Sequence, residues 1–444
     1  MPLTESLRVN RIIVMTRFPE PGKTKTRLIP ALGPDRAAAL HRDLIAHTLN
    51  VVCRSAFQRH YHVEVRYFGG DEQQFREQFG TQPTYVRQSD GTLGDRINSA
   101  VVAAFHDGAE RVIVIGTDCP LLDESHLTTS FEQLANHDVV IGPATDGGYY
   151  LIGMRKHLPL LFENITWGTE TVLQQTLAQA KTVGATLKKL SSLSDVDYVE
   201  DLVHCRLVED SLCEALPQTT SGRISIIIPT WNEAENITQT LQRLSNIPDV
   251  EIIVADGGST DKTVEIAQAA GVHVINCNAG RGKQMNAGAA LASGEVLLFL
   301  HADTQLPIDF SDHVWLAMRN GNSAGAFQLR IDSNGWMLRV VEFGANLRSR
   351  WLKLPYGDQA IFVRATTFFQ MNGFRQWPLM EDFDFCRRLK NISKMTIAPA
   401  SVITSARRWK RLGVLRTTLT NFACVIAFRL GVSPATLVGW YRRR

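Results

Sequence analysis

The stretch ISIIIPTWNEAENI (224–237) decides the fold: an unbroken apolar run stops at Pro-Thr, and polar residues then open a helix. The same pattern recurs as VEIIVADGG (250–258), VHVINC (272–277) and EVLLFLHAD (295–303), with helical periodicity near 233–245, 260–270 and 283–293. The first half repeats the theme. RIIVMT (11–16), VEVRYF (63–68), RVIVIGTD (111–118) and DVVIGPAT (138–145) alternate with helical stretches at 34–57, 93–107 and 124–136. Continuous apolar strands alternating with helices predict mostly parallel sheets with helices on both faces, an α/β class. Such sheets bind ligands beyond the carboxyl ends of their strands, and the polar motifs of both halves fall there.

A chain of 444 residues is too long for one hydrophobic core and suits two. A helical segment with an acidic start, 199–215, precedes LPQTTSG (216–222), which has no apolar pattern. The predicted division is a first domain over 1–217, a linker at 218–222 and a second domain over 223–444. The hydrophobic fraction of 44% excludes disordered and fibrous classes. A formal charge of +3, with no aromatic-basic platform, argues against nucleic acid as a partner. Cysteines 53, 119, 205, 213, 277, 386 and 424 have neither zinc-ligand nor C-x-x-C spacing, so reduced thiols and a cytoplasmic setting are expected. The apolar run 12–15 is too short for a signal peptide. The segment 415–440 is interrupted by Arg416, Asn421, Arg429 and Pro434, which disfavours a spanning helix but leaves a surface-lying amphipathic one open.

Four motifs converge in the second half. Pro229, Thr230, Asn232 and Glu233 follow one strand; Asp256 ends the next, before two glycines and a Ser-Thr-Asp helix start. Asp303 tips a strongly apolar strand, and Glu381 with Asp382 opens a helix in PLMEDFDFCRRL. Singly, each has an ordinary reading: Asp261 as a helix cap, Asp256-Gly257-Gly258 as a turn, Glu381 and Asp382 as first-turn acids. Together, in this order and all at strand ends, they point to a site. Arg281 and Lys283 in AGRGK can meet phosphate oxygens or form a solvated turn. The segment is not an NTPase phosphate loop, because Cys277 stands where that loop needs glycine and no Ser or Thr follows Lys283.

In these motifs the region 223–410 resembles a family 2 glycosyltransferase with the A-type fold. AGRGKQMNAGAALASGEVLLFLHADT and TSARRW further resemble transferase 2 of the radical-SAM/selenodomain-associated (arsenosugar-associated) proteins. The resemblance implies that Asp303 holds a divalent metal, Mg²⁺ or Mn²⁺, and that Asp256, Glu233 and the strand end at Pro229 line the nucleoside site. It also implies Asp382 as general base of an inverting transfer from a nucleotide-diphosphate sugar. The family's metal motif is two aspartates around one residue; here the first position is His301, which would favour Mn²⁺ if it ligates. Arg407, Arg408 and Trp409 are similar to a segment that helps hold the pyrophosphate in related processive synthases.

In the first half, PGKTKTRL places Lys23, Lys25 and Arg27 in a loop after the first strand, a set of cations suited to a polyphosphate or to solvent. Asp118 ends the strand in IGTDCP, Asp146 lies in DGGYYL, and Asp195 and Asp197 lie in SDVDYVEDL, where they can close the site or cap a helix. These motifs resemble transferase 1 of the same group over 10–205, with A-type folds related to nucleotidyltransferases. Asp118 is then the expected metal carboxylate.

The resulting expectation is two tandem Rossmann-like transferase domains of the A type in one bifunctional enzyme. The second domain transfers sugar; the first, nucleotidyltransferase-like, takes a nucleoside triphosphate and makes the activated donor. Alternatives are a tandem glycosyltransferase with two sugar-transfer sites, or a first domain that binds nucleotide without catalysis. The acceptor would be a small molecule or lipid-linked, with the segment 321–377, which holds Trp336, Trp351, Tyr356 and Gly357-Asp358-Gln359, as its wall. The basic, partly apolar tail either docks on the domain or makes a peripheral contact with the inner face of the membrane.

Overall fold

A computed structural model describes residues 9–207, 216–245, 247–319 and 321–442. The chain divides into two compact units, Met1–Asp197 with Val208–Ala215, and Tyr198–Leu207 with Leu216–Arg444.

The first unit contains β1 (Val9–Arg17), β2 (His62–Phe68), β3 (Thr84–Arg87), β4 (Ala109–Ile115), β5 (Val139–Pro143), β6 (Tyr149–Met154) and β7 (Leu187–Lys189). Their order is β3-β2-β1-β4-β6-β5-β7, with every pairing parallel except those of β6. Alternate residues of one strand face opposite layers: Ile12 and Val14 enter one core, Ile13 the other. Burial on both faces is why these strands read as continuous apolar runs.

The second unit contains β8 (Thr220–Thr230), β9 (Val250–Asp256), β10 (His273–Asn276), β11 (Gly294–Phe299), β12 (Thr304–Gln305), β13 (Asn322–Asp332), β14 (Phe362–Arg364) and β15 (Lys394–Ser405). Their order is β10-β9-β8-β11-β14-β13-β15-β12, and β14 runs antiparallel to both of its neighbours. Each sheet therefore starts with the same four-strand arrangement and continues with an antiparallel strand. The two mostly parallel sheets are the expected α/β class.

Two features of the expected division differ. β8 already begins at Thr220, whose N–H donates to the Ser293 carbonyl at 2.6 Å, so much of 218–222 is strand. The helical segment predicted over 199–215 is a 3₁₀ helix at Val199–Leu207, and 208–215 lie outside the described residues. That helix belongs to the second unit. The Arg206 guanidinium donates to the carbonyls of Ala290 and Ala292, and Asn278 donates to Glu200 at 3.0 Å.

Candidate active site

In the second unit, pairing of β8 with β9 sets Thr230 opposite Asp256, so two polar strand ends lie side by side. Asp256 is 1% exposed and accepts from Thr230 Oγ1 at 3.0 Å, Ser259 Oγ at 2.5 Å, and the backbone N–H groups of Gly258 and Ser259 at 2.9 and 2.8 Å. Protein donors thus engage both carboxylate oxygens, and Asp256 shapes the loop around Gly257-Gly258. Pro229 is paired opposite Ala255, one step inside that edge. Asp261 takes the capping part of its two readings: it accepts from the N–H groups of Ala234 and Thr263 at 3.1 and 3.0 Å.

Beyond these strand ends lies a group of acids. Asp303 follows β11. Burial pushes its pKa up, Glu233 adds to the shift, and Arg407 opposes it from 3.8 Å. Arg407 also donates to both Glu233 carboxylate oxygens, at 3.1 and 3.2 Å. The helix Glu381–Ile392 presents Glu381 and Asp382 in its first turn. Asp382 is fixed by two backbone donors, Gly357 N–H to Oδ2 and Phe383 N–H to Oδ1, both at 2.7 Å. Glu381 is 3% exposed; burial, reinforced by Asp382 and opposed by Arg281, pushes it up to about 7. Asp358 is pushed up to about 6, again chiefly by burial.

Arg281 unites this group. It lies 3.4 Å from Glu381. Desolvation disfavours its charge, but Glu381, Asp382, Asp303 and Asp358 outweigh that and hold its pKa up. His301 is driven down to about 3 by burial and by Arg281, so it is neutral near pH 7, and its Nε2 has no hydrogen-bond partner. A Cβ on Gly357 would stand 2.9 Å from that Nε2 and 3.2 Å from Asp382 Oδ2. Glycine there keeps the space open. Gly282 lets the helix Arg281–Ala290 approach the segment that leads into the acid helix, since a Cβ would lie 2.6 Å from the Arg375 carbonyl.

The sequence-predicted residues do not all gather here. Lys283 acts on Glu200 and Cys277, away from Arg281's four acids. Arg408 stacks over Tyr441 at 3.5 Å; burial, then Arg281 and Arg411, lowers it to about 10. Trp409 packs against the small core of Leu329, Ile331 and Leu338, so in the Arg407–Trp409 segment it is Arg407 that reaches the acids. Trp336 and Trp351 are 73% and 79% exposed, whereas Tyr356 is half-buried under Arg348. Asp358, expected from sequence in the acceptor wall, is one of the acids that act on Arg281.

In the first unit, Lys25 adopts a left-handed conformation (φ 47°) and its side chain is 6% exposed. Its ammonium lies 2.8 Å from Asp118 Oδ1 and 3.4 Å from Asp197 Oδ1, and donates to the Val196 carbonyl at 2.7 Å. Arg27 pairs with Asp197 at 2.7 Å, while Lys23 pairs with Glu20 at 2.6 Å out in solvent. Burial disfavours charge on both Lys25 and Asp118, yet their mutual attraction wins: Lys25 is raised and Asp118 lowered. His41 lies 4.0 Å from Asp118, and burial lowers its pKa. Asp146 accepts from Gly148 N–H at 2.8 Å, and with Asp195 and Asp118 it reinforces the burial that raises the Cys119 thiol. At the start of the following helix, Asp201 accepts from the Tyr198 N–H at 2.8 Å.

Comparisons with known proteins divide the chain in the same way. Residues 52–169 match the model of an uncharacterized protein family conserved in bacteria, DUF2064, and residues 225–376 match glycosyl transferase family 2. Glu381 and Asp382 lie just past the second match. Dolichol-phosphate mannosyltransferase of Pyrococcus furiosus is 34% identical over 109 residues, 22% of this chain and 31% of that protein. Glycosyltransferase AglJ of Haloferax volcanii is 41% identical over 64 residues, 14% of this chain and 21% of that protein. The chain thus spans about a third and a fifth of the length of these relatives. A crystal structure from Desulfovibrio desulfuricans G20, assigned as a nucleotide-diphospho-sugar transferase, is 32% identical, covers 46% of this chain and 90% of that chain, and has a TM-score of 0.43. The chain therefore joins a DUF2064 domain to a family 2 glycosyltransferase domain.

Proposed function

We propose that the second unit is an inverting glycosyltransferase using a nucleotide-diphosphate sugar, with Asp382 as the base. The observation that carries this reading is the gathering of Asp303, Asp358, Glu381 and Asp382 around one Arg281 beyond the strand ends. Two backbone N–H groups fix the Asp382 carboxylate, leaving it to take the proton of an acceptor hydroxyl. That hydroxyl oxygen attacks the anomeric carbon opposite the departing diphosphate, which inverts the centre. Arg281, held by Glu381, donates to diphosphate oxygens. Glu233 and the loop shaped by Asp256 bound the nucleoside.

The residues fit a divalent cation. His301 Nε2 is buried, neutral and unpartnered, Asp358 Oδ1 is likewise buried without a partner, and the carboxylates outnumber the cations facing them. Among the described residues no three ligands already surround one point, so diphosphate oxygens would complete the shell. Asp303 and His301 would hold Mg²⁺ or Mn²⁺, which when bound neutralises charge on the leaving diphosphate. Asp382→Asn tests the base: sugar transfer should fall ~10²–10⁴-fold with donor affinity nearly unchanged, and turnover that survives would overturn the assignment.

For the first unit we propose nucleotidyl transfer from a nucleoside triphosphate. Its support is the approach of Asp118 and Asp197 to the single ammonium of Lys25, two hard oxygen donors of the kind that bind Mg²⁺ or Mn²⁺ beside a phosphate-binding cation. The test is pyrophosphate release from nucleoside triphosphate and a sugar phosphate by the full chain and by Asp118→Asn. Release that Asp118→Asn abolishes supports the reading. Consumption of a diphosphate sugar at this site would make the chain a tandem glycosyltransferase, and nucleotide binding without turnover would make the unit a binding module.

A further inference from the structure

No helix among the described residues is long and apolar enough to cross a membrane. Two helices of the second unit nevertheless carry apolar side chains on their outer faces. In the helix Trp336–Leu352 the exposed stripe is Trp336, Val340, Phe343, Leu347 and Trp351. In the helix Val414–Arg429 it is Leu415, Leu419, Phe422 and Ile426, continued by Leu430 just beyond. Both stripes step by four, three, four and four residues, the spacing of one helical face. Phe343 and Phe422 are 70% and 68% exposed.

The opposite faces of these helices are already used. Leu338 and Ala345 of the first helix pack with Ala406, Trp409 and Val414. Phe428 of the second packs edge-on against Trp377 and Phe383, at 5.6 and 5.9 Å. A helix apolar on both faces needs cover on both. The two helices touch, and an apolar groove of about 210 Å³ lined by Gly335, Trp336, Trp409 and Val414 joins their starts. The groove thus brings Trp336, the start of the first stripe, beside the start of the second helix, and the two stripes together expose more apolar surface than scattered single positions would give.

Charge indicates the occupant. No Asp or Glu follows Asp384, whereas thirteen Lys and Arg do, in a chain whose net charge is only +3. Glu342, the one acid in the helix Trp336–Leu352, is buried and paired with Arg339 at 2.8 Å. Lys410, Arg411, Arg416 and Arg429 are exposed beside the second stripe. A second copy of the chain would bring like charge against like charge, whereas an anionic bilayer offers acyl chains to the stripes and phosphates to the rim. We propose that the helices Trp336–Leu352 and Val414–Arg429 form a docking face for an anionic lipid surface. The proposal goes beyond the sugar-transfer reading and does not depend on it. Because Phe428 packs on Phe383, next to Asp382, docking would bring the acid helix near the bilayer and suit a lipid-linked acceptor.

The test is co-sedimentation of the full chain with vesicles of phosphatidylcholine alone and of phosphatidylcholine with phosphatidylglycerol. Partition onto the anionic vesicles should be about tenfold greater and should weaken as salt is raised. Phe343→Ser with Phe422→Ser should lower it about tenfold or more with an unchanged melting temperature. Lys410→Glu with Arg411→Glu should remove the preference for anionic vesicles while leaving every apolar contact intact. Phe57→Ser, at an 87% exposed position of the first unit, should change nothing. Failure to bind either vesicle, equal binding to both, or an equal loss with Phe57→Ser would overturn the proposal. So would a lipid-free dimer, seen by sedimentation velocity, that the Phe343 and Phe422 substitutions dissociate.

Discussion

Asp118 follows β4 in the first unit and Asp303 follows β11 in the second, and each of these strands is the fourth in an equivalent run of its sheet. The same topology thus delivers a carboxylate to the same place twice. Their surroundings differ in sign. Asp118 is lowered because Lys25, 2.8 Å away, outweighs its burial. Asp303 is raised because burial and Glu233 outweigh an Arg407 that stands off at 3.8 Å. The difference comes from loops, since Lys25 is supplied by PGKTKTRL after β1, while TWNEAEN after β8 supplies Glu233. The sheet fixes where the carboxylate stands, and the loop after the first strand of each unit sets the charge beside it.

The largest expected effect separates the units by chemistry. Asp382→Asn should cost sugar transfer ~10²–10⁴-fold, whereas Asp118→Asn should leave that rate unchanged in the same assay. Stability should invert the ranking. Asp118→Asn leaves the buried Lys25 ammonium with only Asp197 as a carboxylate partner, so denaturant unfolding of the first unit should show a loss of about 2 kcal/mol, below the usual figure for a broken buried pair because Asp118 is partly exposed. Asp303→Asn removes a desolvated carboxylate facing Glu233, and stability without ligand should hold or rise by up to about 1 kcal/mol.

A pH titration sharpens the contrast. Glu381 rises from 4.5 to about 7 on folding, so between those values the folded state binds more protons than the unfolded one. Its contribution is therefore fully present below about pH 4.5 and is lost as pH rises through about 7. Thermal melts of the second unit should decline across that window by about 1–2 kcal/mol more in the natural chain than in Glu381→Gln. Arg407→Ala is the mildest change. It breaks a half-exposed pair with Glu233, and stability should move by less than about 1 kcal/mol.

Most of the fold was legible because buried parallel strands write themselves as apolar runs: β1, β2, β4, β8, β9, β10 and β11 each had such a signal. The strands that escaped were short, as β3 and β7, antiparallel and embedded in a motif, as β6 in DGGYYLIG, or long without an unbroken apolar run, as β13 and β15. The helix Val199–Leu207 had a helical pattern, but sequence could not say that Arg206 ties it to the second unit. In the site, the strand-end positions of Asp303 and Asp118 and the helix-start position of Asp382 followed from pattern and resemblance. Partnerships did not, because a motif names a cation without naming its acid: Lys25 is engaged by Asp118 and Asp197, and Lys283 acts electrostatically on Glu200. Trp336 and Trp351 were expected in an acceptor wall by residue type, and their helical phase places both on the exposed face of one helix.

The central claim is that the excess of carboxylates around Arg281 in the second unit is the metal-dependent diphosphate site. Calorimetric titration of the full chain with nucleoside diphosphates in Mn²⁺, repeated with Asp303→Asn and with Asp118→Asn, tests it most directly. The account predicts metal-dependent diphosphate binding that Asp303→Asn abolishes and Asp118→Asn leaves intact. Binding that survives Asp303→Asn and disappears with Asp118→Asn would contradict it.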